Sequence, residues 1–145
     1  KWCTPECSIT EAVNIMREQN CGVIPVLNEQ EQIQGIVTDR DITLYLVTQK
    51  KNPDEVQLKE FMNKDVITCN EDENVDDVIK KMREYQVRRI PIVDQENKLT
   101  GIISLGDVAV KSQEEHETYE ALENISEPPS MFAETKKSPP LSMLR

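Results

Sequence analysis

Residues 8–42 read SITEAVNIMREQNCGVIPVLNEQEQIQGIVTDRDI, and residues 74–108 read NVDDVIKKMREYQVRRIPIVDQENKLTGIISLGDV. The second stretch lies on the first without insertion or deletion at a constant offset of 66 residues, Ser8 falling on Asn74 and Ile42 on Val108. Met16, Arg17, Glu18, Pro25, Gly35, Ile36 and Asp41 recur as Met82, Arg83, Glu84, Pro91, Gly101, Ile102 and Asp107, and other pairs exchange like for like, such as Val26 with Ile92 and Thr38 with Ser104. A repeat this long is one supersecondary unit that buries its apolar face against its copy. A site made by one copy should therefore have a quasi-symmetric partner in the other.

Each copy reads as short strand, helix, strand, strand, helix, which places the chain in the α/β (α+β) class. Ser8-Ile-Thr-Glu11 has the form of a capping box, and Ile9, Ala12, Val13 and Met16 follow at helical spacing, predicting a helix from about Ile9 to Asn20. Asn74 and Asp77 open its equivalent, with Val75, Val78, Ile79 and Met82 as the apolar stripe and Lys80 and Lys81 facing out. Val23–Leu27 and Arg89–Val93 are apolar, β-branched runs that end in polar turns, so each starts a hairpin. Pro25 and Pro91 remove a ladder donor and belong at an edge or where the ladder is interrupted, leaving backbone groups free to meet a ligand. The third strands, Ile33–Val37 and Leu99–Ile103, feed helices at about Asp39–Thr48 and Leu105–Ser112. Between the copies the spacing predicts a short helix over Val56–Met62 and a strand at Val66–Thr68. The chain thus divides into a first repeat at 1–48, a linker, short helix and second repeat at 49–113, and an acidic helix with a disordered, proline-rich tail at 114–145.

At 145 residues the chain can bury one respectable core, whereas either unit left unpaired would be marginal. The net charge of −10 disfavours nucleic acid and anionic membrane surfaces as general partners, although not a small anion at a local basic spot. No apolar run approaches the roughly 18 to 20 residues that cross a bilayer, and Lys-Trp-Cys-Thr-Pro lacks the apolar core of a signal peptide, so a cytoplasmic location is expected. The opening at what should be a strand leads us to expect a few residues upstream of Lys1. Cys3, Cys7, Cys21 and Cys69 match neither a C-x-x-C pair nor a zinc-finger spacing and read as reduced, buried or half-buried thiols. His116 is expected to be solvated.

The sharpest local signal is Gly35-Ile-Val-Thr38-Asp-Arg-Asp41-Ile and its echo Gly101-Ile-Ile-Ser104-Leu-Gly-Asp107-Val, each at a strand end that becomes a helix start. A first helical turn offers unpaired N–H groups and partial positive charge suited to phosphate, and a hydroxyl there adds a donor. An Asp three residues on can accept two hydrogen bonds from a ribose diol. Thr38 with Asp41, and Ser104 with Asp107, could thus hold the phosphate and sugar of a nucleotide. The same pattern is also a plain helix cap with an acid near the positive helix end, and the residues alone leave both readings open.

Pro25, Gly35, Thr38 and Asp41, repeated as Pro91, Gly101, Ser104 and Asp107, resemble a tandem pair of cystathionine-β-synthase (CBS) domains, a Bateman module, across about residues 2 to 112. Val-Thr-Asp-Arg-Asp-Ile and Val-Arg-Arg-Ile-Pro-Ile-Val-Asp are similar to segments of small stand-alone bacterial members. The resemblance implies two β-α-β-β-α repeats packed about a pseudo-twofold axis, with two clefts for adenosine-containing ligands such as AMP, ATP, S-adenosylmethionine or cyclic di-AMP. Carried over by position, Asp41 and Asp107 would take ribose, Thr38 and Ser104 phosphate, and Ile24, Pro25, Ile90 and Pro91 the adenine slot. Ile67 and Thr68, with Val66, would offer backbone contacts to the base, and Arg40 and Arg89 charge for the phosphate. Gly106 stands where the first copy has Arg40, which makes the two sites unequal.

Two functions from different classes follow. One is a non-catalytic sensor with no resident cofactor, in which an adenine nucleotide is the regulatory ligand and an unknown protein target reads the change in shape. The other is a ligand-free dimerisation or protein-interaction module. The resemblance implies a homodimer in either case, through helix faces bearing Ala12, Met16, Val78 and Met82. No Ser/His/Asp set, P-loop or metal cluster supports an enzyme.

Overall fold

The computed structural model describes residues 1–111 and 115–126. The first copy begins with Cys3, bridged in parallel to Val26. Helix α1 (Ile9–Gln19) follows, then strands β1 (Val23–Leu27) and β2 (Ile33–Thr38) and helix α2 (Asp39–Gln49). The second copy repeats this order with β3 (Cys69–Asn70), α3 (Val75–Glu84), β4 (Arg89–Val93), β5 (Leu99–Ser104) and α4 (Leu105–Lys111), and a further helix, α5, spans Glu115–Ser126. Among the described residues no helix is long and apolar enough to cross a membrane.

Local chemistry sets these boundaries. The Glu11 amide donates to Ser8 Oγ at 3.2 Å while the Ser8 amide donates to Glu11 Oε2 at 2.7 Å, the reciprocal cap expected from the sequence. The helix ends where Asn20 turns left-handed at φ 49°. In the hairpins Asn28 Oδ1 accepts from the amides of Gln30 and Gln32 at 3.0 and 2.9 Å, and Asp94 Oδ1 accepts from Glu96 and Lys98, both at 2.9 Å. β1 pairs antiparallel with β2, and β4 with β5, in the same register; Pro25 faces Ile36, and Pro91 faces Ile102.

The prolines act on the other side of their strands. The Cys3 amide donates to the Pro25 carbonyl at 3.1 Å and the Leu27 amide to the Cys3 carbonyl at 2.9 Å, so the parallel pairing begins just past the proline. In the second copy it likewise begins at Cys69 against Ile92. The strand expected at Val66–Thr68 is therefore displaced to Cys69–Asn70, because a proline has no N–H with which to extend the ladder backward.

The linker also departs from expectation. Only Leu58–Glu60 is helical, a single 3-10 turn. Its neighbours are held by other backbone partners, the Ile9 amide on the Val56 carbonyl at 3.1 Å and the Leu58 amide on the Cys7 carbonyl at 3.0 Å. Beyond the turn, Asn63 bridges to Ile36 on the outer edge of β2.

Each copy has its own core. Ile9, Ala12, Met16, Ile24, Val26, Val37 and Ile42 form one with Val56 and Leu58, and Val78, Ile79, Met82, Ile90 and Ile92 form the other with Val108 and Ala121. Ala12 and Met82 are 0% exposed, so the side chains expected to make a dimer face point instead into their own cores. Helix α5 lies against α3: Ala121 is buried, Arg83 pairs with Glu120 at 3.0 Å, and Gln86 donates to the Asn124 carbonyl at 3.1 Å. The copies meet through their hairpin turns, where Gln32 bridges Lys98 and the Leu99 amide donates to the Glu31 carbonyl at 3.1 Å.

Candidate functional site

Both Thr/Ser-x-x-Asp segments adopt one geometry. Thr38 Oγ1 donates to Asp41 Oδ2 at 2.6 Å, the Thr38 amide reaches the same oxygen at 2.9 Å, and the Asp41 amide returns to Thr38 Oγ1 at 3.2 Å. In the second copy Ser104 Oγ and the Ser104 amide donate to Asp107 Oδ2 at 2.6 and 3.0 Å, and the Asp107 amide donates to Ser104 Oγ at 3.0 Å. These are complete capping boxes, so the plain structural role is real in both copies. A carboxylate has about four lone-pair sites on two oxygens, so capping and contact with a ligand are compatible roles.

Ser104 and Asp107 stand beside open space. A cleft of about 260 Å³ lies between the copies, lined from the second by Arg89, Ile102, Ser104 and Asp107 and from the first by Lys1, Ile15, Gln19, Cys21, Val23 and Pro25. Arg89 is the cross-strand partner of Ser104, so the register of β4 and β5 puts a guanidinium beside the hydroxyl. In the first copy the corresponding pair is Val23 with Thr38, without the charge. The cleft thus joins an apolar wall, a hydroxyl, a carboxylate and cations in an acidic chain. Such a set fits a small polar ligand with an anionic end.

Of the residues expected at a binding site, the cleft gathers Ser104, Asp107, Arg89 and Pro25. Thr38 and Asp41 form the equivalent pair at the start of α2, and Arg40 is exposed one residue before Asp41. Ile24 and Ile90 are 1% and 0% exposed and belong to the cores, and Pro91 is fully buried, as is Pro25 at the cleft wall. Ile67 and Thr68 are half-buried. The Thr68 carbonyl already accepts from Lys81 Nζ at 3.1 Å, and Lys81 also pairs with Glu73 at 2.9 Å. Lys81 was expected to face out like Lys80; it is half-buried because Glu73 and the Thr68 carbonyl give its ammonium partners inside. That pairing holds Glu73 below its ordinary range and Lys81 above its own. Lys1, Val23 and Ile102 went unforeseen in the cleft. The register offered a signal for Val23, which holds in the first copy the place of Arg89 in the second.

All four cysteines are free, Cys3 and Cys69 buried and Cys7 and Cys21 half-buried. Burial pushes the Cys3 thiol up to about 12, which keeps it protonated and inert. Among the described residues no group of His, Cys, Asp and Glu could hold a metal ion. His116 lies within α5, but its side chain falls outside the described residues.

Comparison with known proteins places the chain. The CBS domain pattern matches residues 1–48 and 58–114. The CBS domain-containing protein YhcV of Bacillus subtilis is 38% identical over 123 residues, 85% of this chain and 86% of YhcV. An uncharacterised protein of Methanopyrus kandleri, MK0525, is 39% identical over 105 residues, and the match covers 72% of this chain but only 54% of that protein. Among solved structures, the CBS domain pair of protein MJ0100, in complex with 5′-methylthioadenosine and S-adenosyl-L-methionine, superposes with a TM-score of 0.67 at 33% identity, covering 74% of this chain and 83% of that one.

Proposed function

The chain belongs to the CBS domain family, and from that premise we propose that it is a non-catalytic sensor that binds an adenosine-containing ligand in the cleft between its repeats. The observation that carries this reading is the convergence of Ser104, Asp107 and Arg89 from the second copy with Pro25 and Val23 from the first in one cleft. Asp107 accepts the ribose hydroxyls, the start of α4 and the Ser104 hydroxyl face a phosphate or other polar group, and Val23 and Ile102 pack against the base. Support comes from the MJ0100 domain pair, which holds adenosyl compounds. A ligand touching both copies favours whichever arrangement presents both walls, and a protein target that distinguishes the two arrangements reads the ligand. The ligand's identity follows from a thermal-shift screen with AMP, ADP, ATP, cyclic di-AMP, S-adenosylmethionine and NADH, in which one compound is expected to raise Tm selectively. A uniform lack of response would remove the reading.

A second reading, self-association, draws on a different observation. Val13, Leu44 and Val47 are 43%, 53% and 70% exposed on α1 and α2, while the matching α3 face of the second copy is covered by α5. An apolar face on α1 and α2 that no further helix covers among the described residues suits a homodimer through the first repeat.

A further inference from the structure

The outer edges of the two hairpins differ in a way the repeat does not require. Pro25 faces Ile36 across the first hairpin, so Ile36 turns its own N–H and C=O to the outside. Asn63 takes both, the Ile36 amide donating to the Asn63 carbonyl at 2.9 Å and the Asn63 amide to the Ile36 carbonyl at 3.0 Å. Met62 lies so close over Gly35 that a Cβ there would stand 2.8 Å from its sulfur and 3.0 Å from the Asn63 carbonyl oxygen. The glycine is what admits the segment.

In the second copy Pro91 faces Ile102 in the same register, so Ile102 also turns its backbone groups outward, and β5 is the edge of its sheet. Gly101 keeps the open position, with nothing among the described residues within 4 Å of where its Cβ would be. Ile102 is 36% exposed, and among the described residues no bridge reaches its outer side. We propose that the β5 edge at Gly101–Ile102 is a docking site for an extended peptide segment with the chemistry of Met62-Asn63: a long, flexible apolar side chain laid over Gly101, followed by a residue that pairs through its backbone with Ile102. The occupied edge of the first copy supplies the template, with the same glycine, the same outward backbone pair and the same proline behind it. An unpaired strand edge is a natural acceptor for an added strand, and the glycine provides selectivity by leaving room for one side chain. Because Ile102 also lines the cleft, the docked segment would form part of its wall.

The test needs no nucleotide. A peptide with the sequence of residues 57–66 is titrated into the isotopically labelled chain, and the same ten residues are separately joined directly ahead of Lys1, which preserves the 66-residue phase of the repeat at high effective concentration. The expected result is saturable amide shifts at Gly101, Ile102 and Ile103 with the peptide, and hydrogen exchange at the Ile102 amide slowed about tenfold or more in the joined chain. Both effects should vanish in Gly101→Val, which fills the open position with little effect on the fold. Unchanged Ile102 exchange in the joined chain, or equal shifts in Gly101→Val, would overturn the proposal. A response to the joined segment alone would indicate a segment of the same chain as the natural occupant, and a response to the free peptide as well would extend the site to separate partners.

Discussion

Gln32 and Lys98 hold the same place in the two repeats, and they form an antiparallel bridge with each other. A residue that pairs with its own equivalent lies on a twofold axis, so the pseudo-symmetry of the chain passes between these two hairpin turns. Gln32 Nε2 also donates to the Glu96 carbonyl at 2.8 Å, tying the same turns together. Gln32→Ala removes that bond, and we expect a loss of about 0.5–1.5 kcal/mol by urea denaturation.

The two edge glycines predict opposite outcomes for one substitution. Gly35→Ala pushes a Cβ against Met62 and the Asn63 carbonyl and should destabilise by about 1–3 kcal/mol. Gly101→Ala meets nothing within 4 Å among the described residues and should stay within about 0.5 kcal/mol of the parent. Equal costs in thermal melts would mean that the Met62–Asn63 contact is not the reason for Gly35.

Lys81 and Glu73 predict a pH signature. Glu73 is held below its ordinary 4.5, chiefly by Lys81 and then by the Asn70 amide, so its contribution is present above that value and fades as pH falls through the folded-state value. Lys81 is raised above its ordinary 10.5 by Glu73, so its contribution is complete below 10.5 and lost as pH rises further. Lys81→Met should therefore be less stable than the parent between these limits, and the difference should shrink below about pH 4.5. Melts across that range check it.

Helix α5 predicts the effect of truncation. Ending the chain before Glu115 uncovers α3 and removes Ala121 from the second core, so Tm should fall by several degrees. The newly bared face then matches the open face of α1, and analytical ultracentrifugation should show stronger self-association than in the full chain.

Much of this fold was legible because its signals are local. The ungapped repeat, the Ser8–Glu11 capping box, the hairpin turns at Asn28 and Asp94 and the Thr38–Asp41 and Ser104–Asp107 boxes each depend on residues a few places apart. What escaped depends on distant packing. Lys81 turns inward because Glu73 and the Thr68 carbonyl wait for it, and the strand starts at Cys69 because Pro91 stops the ladder. The site was half visible: Ser104, Asp107 and Arg89 follow from motif and register, yet their companions Val23 and Lys1 come from the other copy. Ile24, Pro25, Ile90 and Pro91 are expected beside the ligand from the resemblance, carried over by position; all four are buried, and of them Pro25 lies at the wall of the cleft.

The most direct test of the proposed sensor is calorimetric titration of the nucleotide that gives the largest thermal shift, into the parent chain, Asp107→Asn and Asp41→Asn. The amide oxygen of asparagine can still cap its helix, so both variants should melt within a few degrees of the parent while losing the carboxylate's charge. We predict saturable binding to the parent, at least about tenfold weaker binding to Asp107→Asn, equivalent to about 1.4 kcal/mol, and a smaller effect in Asp41→Asn. Equal affinity in the parent and Asp107→Asn, or no binding by any adenosine compound, would contradict the account.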